Sequence, residues 1–198
     1  MLAKRIFDFV FSLIMLVILS PVFLIIAILI KIESSGPVFF RQVRVGLNGA
    51  DFIIYKFRTM FTGSEAKGML TVGACDSRIT KTGFYLRKYK FDELPQLINV
   101  LNGAMSFVGP RPEVRKYVNL YSLEQLQILR VKPGITDPAS IAFSNENELL
   151  ANVVDPEKIY IEKIMPEKLH LNQSYILNRS FNKDLKIIFQ TIGKIISH

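Results

Sequence analysis

The sequence is poor in the residues that many enzymes use as reactive groups. It has one cysteine, Cys75, no tryptophan, and two histidines, His170 and His198, both late in a chain of 198 residues. A single thiol cannot close an internal disulfide, so a disulfide-stapled secreted module is excluded and a reducing cytoplasm is the default setting. The motifs G-x-x-x-x-G-K, H-E-x-x-H, C-x-x-C and G-x-S-x-G are all missing, which removes the usual carriers of histidine triads, thiolate chemistry and zinc chemistry. Charge is sparse at 21% of residues against 49% hydrophobic, yet 25 Lys and Arg outnumber 17 Asp and Glu, for a formal charge of +8. That combination excludes an acidic disordered tail and a collagen-like fibre. The length suits one compact domain, or one domain with an appendage.

Neither the apolar residues nor the charges are spread evenly. Phe9 to Ile30 is a run of 22 residues without an ionisable side chain, and about 20 suffice for a helix to cross the hydrocarbon core. A secretory signal would be shorter and would end in a small-residue cleavage site, whereas this run ends at Lys31 and Glu33. Lys4 and Arg5 precede it and Lys31, Arg41 and Arg44 follow, so both flanks carry residues that prefer the cytoplasmic side and a simple span has no consistent orientation. Near its middle stands Ser20-Pro21. Pro21 has no amide hydrogen for the Val17 carbonyl and its ring crowds that carbonyl, while the Ser20 hydroxyl can bond a carbonyl of the preceding turn. A helix bent there enters and leaves by one face, and a re-entrant helix is favoured over a span. The basic surplus lies between residues 31 and 132, with 16 basic and 8 acidic side chains. Such a field attracts lipid head groups, nucleic acid or a phosphorylated substrate.

Turn and periodicity signals divide the remainder. A strand from Val38 to Gln42, a glycine-bearing turn at residues 45–49 and a strand from Phe52 to Phe57 form a hairpin. Residues 62–75 read as a mobile loop, and Ile79 to Arg87 as a structured segment. A helix starts near Asp92 and stops at Asn102-Gly103, followed by a strand from Ala104 to Val108 and the rigid turn Gly109-Pro110-Arg111-Pro112. The spacing predicts a helix over Tyr117 to Val131, ended by Lys132-Pro133-Gly134. Another opens at Asp155-Pro156-Glu157 and is kinked or ended by Pro166. Ser180 to Ile196 sets Phe181, Leu185, Ile188, Ile192 and Ile195 on one face, suited either to a membrane interface or to the core.

With histidine and cysteine set aside, carboxylates among cations remain. Asp92-Glu93-Leu94-Pro95 is the strongest candidate, with Arg87, Lys88 and Lys90 just upstream and Arg111 on a proline-braced turn downstream. An Asp at a helix N-cap meets free amide hydrogens and the positive end of the dipole, although an acid before Glu and Pro is also an ordinary helix start. Two adjacent carboxylates ringed by arginines suit phosphoryl transfer: one can attack phosphorus or hold a divalent metal, while guanidinium groups clamp phosphate oxygens. Asp137 before Pro138 is read as a turn former rather than a substrate-side acid.

Six segments in order carry a resemblance. They are Ser20-Pro21 in the apolar run, residues 44–48 with residues 55–60, Leu86-Arg87, residues 92–97, residues 105–112, and residues 132–136. Together they resemble the bacterial sugar transferase family, polyprenol-phosphate phosphoglycosyl transferases in their small monotopic form. The resemblance implies an α+β fold: a re-entrant membrane helix over 1–32, then a mainly helical catalytic domain over 33–198 on the cytoplasmic face of the inner membrane, with a short β-hairpin and interfacial amphipathic helices. It implies that a UDP-sugar gives its sugar phosphate to undecaprenyl phosphate, releasing UMP. Asp92 would be the nucleophile and Glu93 a magnesium ligand or electrostatic helper, while Lys56, Arg87 and Arg111 would bind phosphate. Mg2+ is the implied cofactor, membrane lipid and downstream glycosyltransferases are further partners, and nucleic acid is not among them. The chain departs from the family pattern at residues 137–145, which puts sugar contacts there in doubt. A non-enzymatic membrane-anchored scaffold that binds anionic lipid or nucleic acid is the alternative from composition alone, and it should tolerate loss of the acidic pair.

Overall fold

The computed structural model describes residues 2–64, 76–151 and 153–196. Cys75 and most of the predicted loop at 62–75 lie outside the described residues.

The break at Ser20-Pro21 forms as its chemistry dictates. Helix α1 (Leu2–Ile18) and helix α2 (Ser20–Glu33) meet at Leu19 with a bend of 59°. The Ser20 hydroxyl donates to the Val17 carbonyl at 2.8 Å, the acceptor that Pro21 leaves without an amide partner. The regular ladder resumes on both sides, with the Leu19 amide on Met15 and the Phe23 amide on Leu19, each at 2.9 Å. Among the described residues no single helix is long and apolar enough to cross a membrane; the bent pair meets that test only together. Around the bend Phe9, Leu13, Ile14, Val17, Leu24, Ile25, Ile28 and Leu29 are exposed.

The start of α1 is bound into the rest of the protein. Lys4 donates to the Val108 carbonyl and pairs with Asp184. Arg5 donates to the carbonyls of Val100 and Leu101 at 2.7 and 2.9 Å, capping the end of a later helix, and Asp8 accepts the Phe107 amide.

Strands β1 (Phe39–Val45) and β2 (Asp51–Phe57) form the expected antiparallel hairpin, with Phe39 opposite Phe57 and Val45 opposite Asp51. Asn48 and Gly49 in its turn take positive φ, where the small polar side chain and glycine fit. The hairpin and α2 share a core of Ile26, Ile30, Phe57 and Leu86, the last from α3 (Lys81–Lys88). A single 3-10 turn (Phe91–Glu93) follows, then α4 (Gln96–Leu101).

Three expectations need correction here. Asp92 does not cap a helix: it sits inside the 3-10 turn, and the amides of Leu94, Leu97 and Ile98 reach back three residues to Phe91, Leu94 and Pro95. The α-helix proper begins only at Gln96, with Pro95 rather than Asp92 at its N-cap. The predicted helix over Tyr117 to Val131 is in fact a short α5 (Arg115–Val118) and a separate 3-10 segment (Gln125–Arg130). The two segments reach one core, where Tyr117 and Ile128 join Tyr160, Ile164 and Leu169. Pro166 does not end its helix. After α8 (Pro156–Ile159), capped by Asp155 as expected, a π-type turn (Tyr160–Ile164) leads directly into α9 (Met165–Leu177). In that turn the Met165 amide reaches back five residues to the Tyr160 carbonyl.

The strand expected within 104–108 forms, but sequence reading missed its partner. Strands β3 (Ser106–Val108) and β4 (Gly134–Thr136) run parallel, so the chain returns across the turn that carries Arg111. Their backbones approach so closely that a Cβ on Gly134 would lie 2.1 Å from the Gly109 nitrogen. Helices α6 (Pro138–Ala142) and α7 (Glu146–Ala151) follow β4, and α10 (Phe181–Ile196) closes the described chain. Its Asp184 and Ile187 are buried, while Phe181, Phe189 and Ile192 are exposed.

Candidate active site

The structure brings together the five residues that the sequence singles out, Lys56, Arg87, Asp92, Glu93 and Arg111, from four different local devices. Lys56 points from β2, Arg87 from the last turn of α3, Asp92 and Glu93 from the 3-10 turn, and Arg111 from the Gly109–Pro112 turn after β3. Lys90, just before the turn, adopts a left-handed φ of 58°. A residue with a Cβ pays strain in that region, and such strain concentrates at functional sites. It turns the chain sharply enough to present both acids after α3.

The two acids are held in opposite ways. Glu93 is clamped: Lys56 Nζ lies 2.8 Å from Oε1, Arg111 Nη1 donates to Oε2 at 3.0 Å, and Arg111 Nη2 donates to Oε1. Burial alone would push its carboxyl up, but Arg111 and Lys56 overrule that and hold it well below the usual range. The same pairing raises the Arg111 guanidinium.

Asp92 is also buried, at 8% exposure, yet its carboxylate accepts no hydrogen bond from the described residues. Burial is the main cause that pushes its pKa up, opposed by the nearby positive charge of Lys56 and, more weakly, of Arg87 and Lys90. A carboxylate that is poorly solvated and not hydrogen-bonded keeps its electron pairs available for attack on an electrophile. Arg87, lowered chiefly by burial, is steered by its Nε bond to Thr59 Oγ1 at 2.8 Å. Four cations therefore surround one clamped and one unbonded acid, an arrangement suited to a phosphate-bearing substrate.

Asp137 has a part here that sequence reading placed elsewhere. It is fully buried, caps α6 as a turn-forming Asp should, and also accepts the Arg111 backbone amide at 2.6 Å and the Asn172 side-chain amide at 3.3 Å. The Asp-Pro step signals the cap, while the bond to a residue 26 positions earlier leaves no local trace.

Magnesium ligation can be tested against the same contacts. Among the described residues no group of three or more His, Cys, Asp or Glu could hold a metal ion. Magnesium often takes only one or two carboxylates and completes its shell with water and substrate phosphates. Asp92 fits that donor set. Glu93 would have to give up part of its clamp to join it.

The bacterial sugar transferase family matches the chain over residues 1–198. The uncharacterized sugar transferase EpsL of Bacillus subtilis is 40% identical over 99% of this chain and 88% of its own length. The UDP-glucose:undecaprenyl-phosphate glucose-1-phosphate transferase of Klebsiella pneumoniae is 40% identical over 98% of this chain. The UDP-N-acetylgalactosamine-undecaprenyl-phosphate N-acetylgalactosaminephosphotransferase of Aeromonas hydrophila matches equally well, at 40% over 98%. The chain spans only 40% and 44% of the length of these last two.

Proposed function

The chain belongs to the bacterial sugar transferase family, and from that premise we propose that it moves a sugar 1-phosphate from a UDP-sugar to undecaprenyl phosphate and releases UMP. The observation that carries this reading is the asymmetry of the acidic pair, with Glu93 clamped by Lys56 and Arg111 and Asp92 buried but unbonded.

In the first step an Asp92 oxygen bonds the β-phosphorus as the bond from that phosphorus to the bridging oxygen breaks, and the electron pair leaves with UMP. In the second, an oxygen of the lipid phosphate bonds the same phosphorus and the Asp92 carboxylate departs, giving undecaprenyl diphosphate-sugar. Lys56, Arg87 and Arg111 meet the negative charge that spreads over the phosphate oxygens. Glu93 holds Lys56 and Arg111 in place before substrate arrives, so little reorganisation is left for the reaction itself. Magnesium, bound by Asp92 and the donor phosphates, would supply further charge neutralisation at the leaving group.

The bent helix pair supports a monotopic seat, in which residues 1–32 dip into the cytoplasmic leaflet of the inner membrane and residues 33–198 work at its surface. The exposed Phe189 and Ile192 of α10 support an interfacial role for that helix.

The test is a trapping experiment. Parent protein incubated with β-32P-labelled UDP-sugar, without lipid acceptor, should retain label, and Asp92→Asn should retain none. If Asp92→Asn released UMP at the parent rate, the nucleophile would lie elsewhere.

A further inference from the structure

Arg111 faces two ways. Besides clamping Glu93, it lines a cavity of about 190 Å3 together with Gln42, Tyr121, Glu146, Lys168 and Asn172. None of these five other residues takes part in the steps described above.

Asn172 is 5% exposed. Its amide nitrogen donates to Asp137, which fixes the orientation of the group because an ionised carboxylate can only accept. Its Oδ1 is then left buried without a partner among the described residues, a costly state for a polar atom unless a ligand or water meets it. At the same cavity Lys168 lies 2.7 Å from Glu146 and over the Tyr160 ring.

The charges around the cavity are already paired: Arg44 with Glu113, Lys168 with Glu146, and Arg111 with Glu93. Arg44 and Lys168 each stand against a carboxylate of the cavity wall, so a free phosphate meets as much negative charge as positive there, while Arg111 is turned to the acidic pair. A neutral ligand rich in hydroxyl groups would find acceptors at Glu146 and Asn172, donors at Lys168 and at the Gln42 amide nitrogen, whose oxygen is taken by Arg44, and the ring of Tyr121. One water needs about 10–15 Å3 by this measure, so the space admits on the order of a dozen waters or one six-membered sugar ring. Arg111 reaches from this space to Glu93, whose chain neighbour is Asp92, so a ring placed here keeps its phosphate beside the acidic pair.

We propose that this cavity receives the sugar ring of the donor, and that Glu146, Lys168 and Asn172 determine which sugar is accepted. The inference rests on the reading of the chain as a sugar-phosphate transferase.

The experiment compares the parent with Lys168→Met, which keeps the alkyl stem over Tyr160, and with Glu146→Gln. UMP release is measured with UDP-glucose, UDP-galactose, UDP-GlcNAc and UDP-GalNAc, each with undecaprenyl phosphate, after thermal melts identify the folded variants. The ratio of kcat/KM between the preferred sugar and the next should change at least tenfold in either variant, while KM for undecaprenyl phosphate stays put. Unchanged ratios alongside normal UMP release would overturn the pocket and leave the reaction standing. An equal loss of affinity for UMP and for every UDP-sugar would make it a uridine site instead. A parent that releases no UMP from any of the four would defeat the proposed reaction, so binding is read separately by saturation-transfer NMR on Asp92→Asn protein. There the sugar-ring protons should receive saturation that Lys168→Met removes while the uracil protons keep theirs; ring protons without saturation would overturn the inference on their own.

Discussion

Replacing Glu93 by Gln keeps the shape of the side chain and removes the charge that Lys56 and Arg111 share. The Glu93 side chain is 12% exposed, Lys56 19% and Arg111 36%. Removing one partner of a buried ion pair costs about 3–5 kcal/mol, because the other charge stays behind uncompensated. Here two cations are left facing each other, but water reaches Arg111, and that screening sets the loss near the lower bound, about 3 kcal/mol. For a chain of this size about 1 kcal/mol shifts Tm by 2–4 °C, so the melt should move down by about 6–12 °C. Circular dichroism melts of parent and Glu93→Gln in the same detergent read this directly. In an Arg111→Met background, where a single cation remains, the same substitution should cost at least about 1 kcal/mol less, by a double-mutant cycle. Because Arg111 also loses its preorganised position, kcat should fall by about 10²- to 10³-fold. The clamp is a depressed carboxylate, so its stabilisation is present at neutral pH and is lost as pH falls through the folded Glu93 value. A Glu93→Gln melt within about 1 °C of the parent, with an additive cycle, would refute the reasoning.

Asp92 should behave in the opposite sense. Its pKa is raised, so ionisation weakens the fold as pH rises through the folded value; Asp92→Asn should therefore raise Tm at pH 7 while abolishing UMP release. In the parent, activity should fall on the acid side at a higher pH than an ordinary aspartate would give, measured as kcat/KM against pH. Gly83→Ala should cost about 1–3 kcal/mol and raise KM for the UDP-sugar, since its Cβ would stand 2.0 Å from the Thr59 carbonyl oxygen and displace the residue that steers Arg87. Single cysteines at Leu2 and at Ser35, in a Cys75→Ser background, should both be shielded from a membrane-impermeant thiol reagent applied to whole cells. Pro21→Ala, which returns an amide partner to the Val17 carbonyl, should expose one of them, and labelling of either site in the parent would count against re-entry.

What could be read from the sequence was chemistry that acts over a few residues. The bend at Ser20-Pro21, the hairpin turn at Asn48-Gly49 and the Asp155 cap each follow from a missing amide, a permissive φ or a short side-chain bond. The acidic pair and its cations were legible as a cluster because four of the five stand on three nearby segments, and Lys56 came from the family resemblance. The clamp itself was not, since it depends on Lys56 and Glu93 meeting across 37 positions of chain. The parallel pairing of β3 with β4 is equally nonlocal, and although β3 was expected, the three residues of β4 carry no alternating pattern to announce them. The predicted helix from Tyr117 to Val131 failed because its periodicity serves one core from two separate short segments.

The bond from the Arg111 amide to Asp137 also orders events in time. A chain made at about 5–20 residues per second completes the bent N-terminal pair first and reaches Arg111 some eighty residues later. It must then be extended by 26 more before the carboxylate that orients that arginine exists, a wait of roughly 1–5 s. Until then the turn that carries Arg111 lacks the carboxylate that braces it. The bent pair is thus made well before the site can be aligned, and the turn that carries Arg111 is braced only once the returning strand has closed over Gly109.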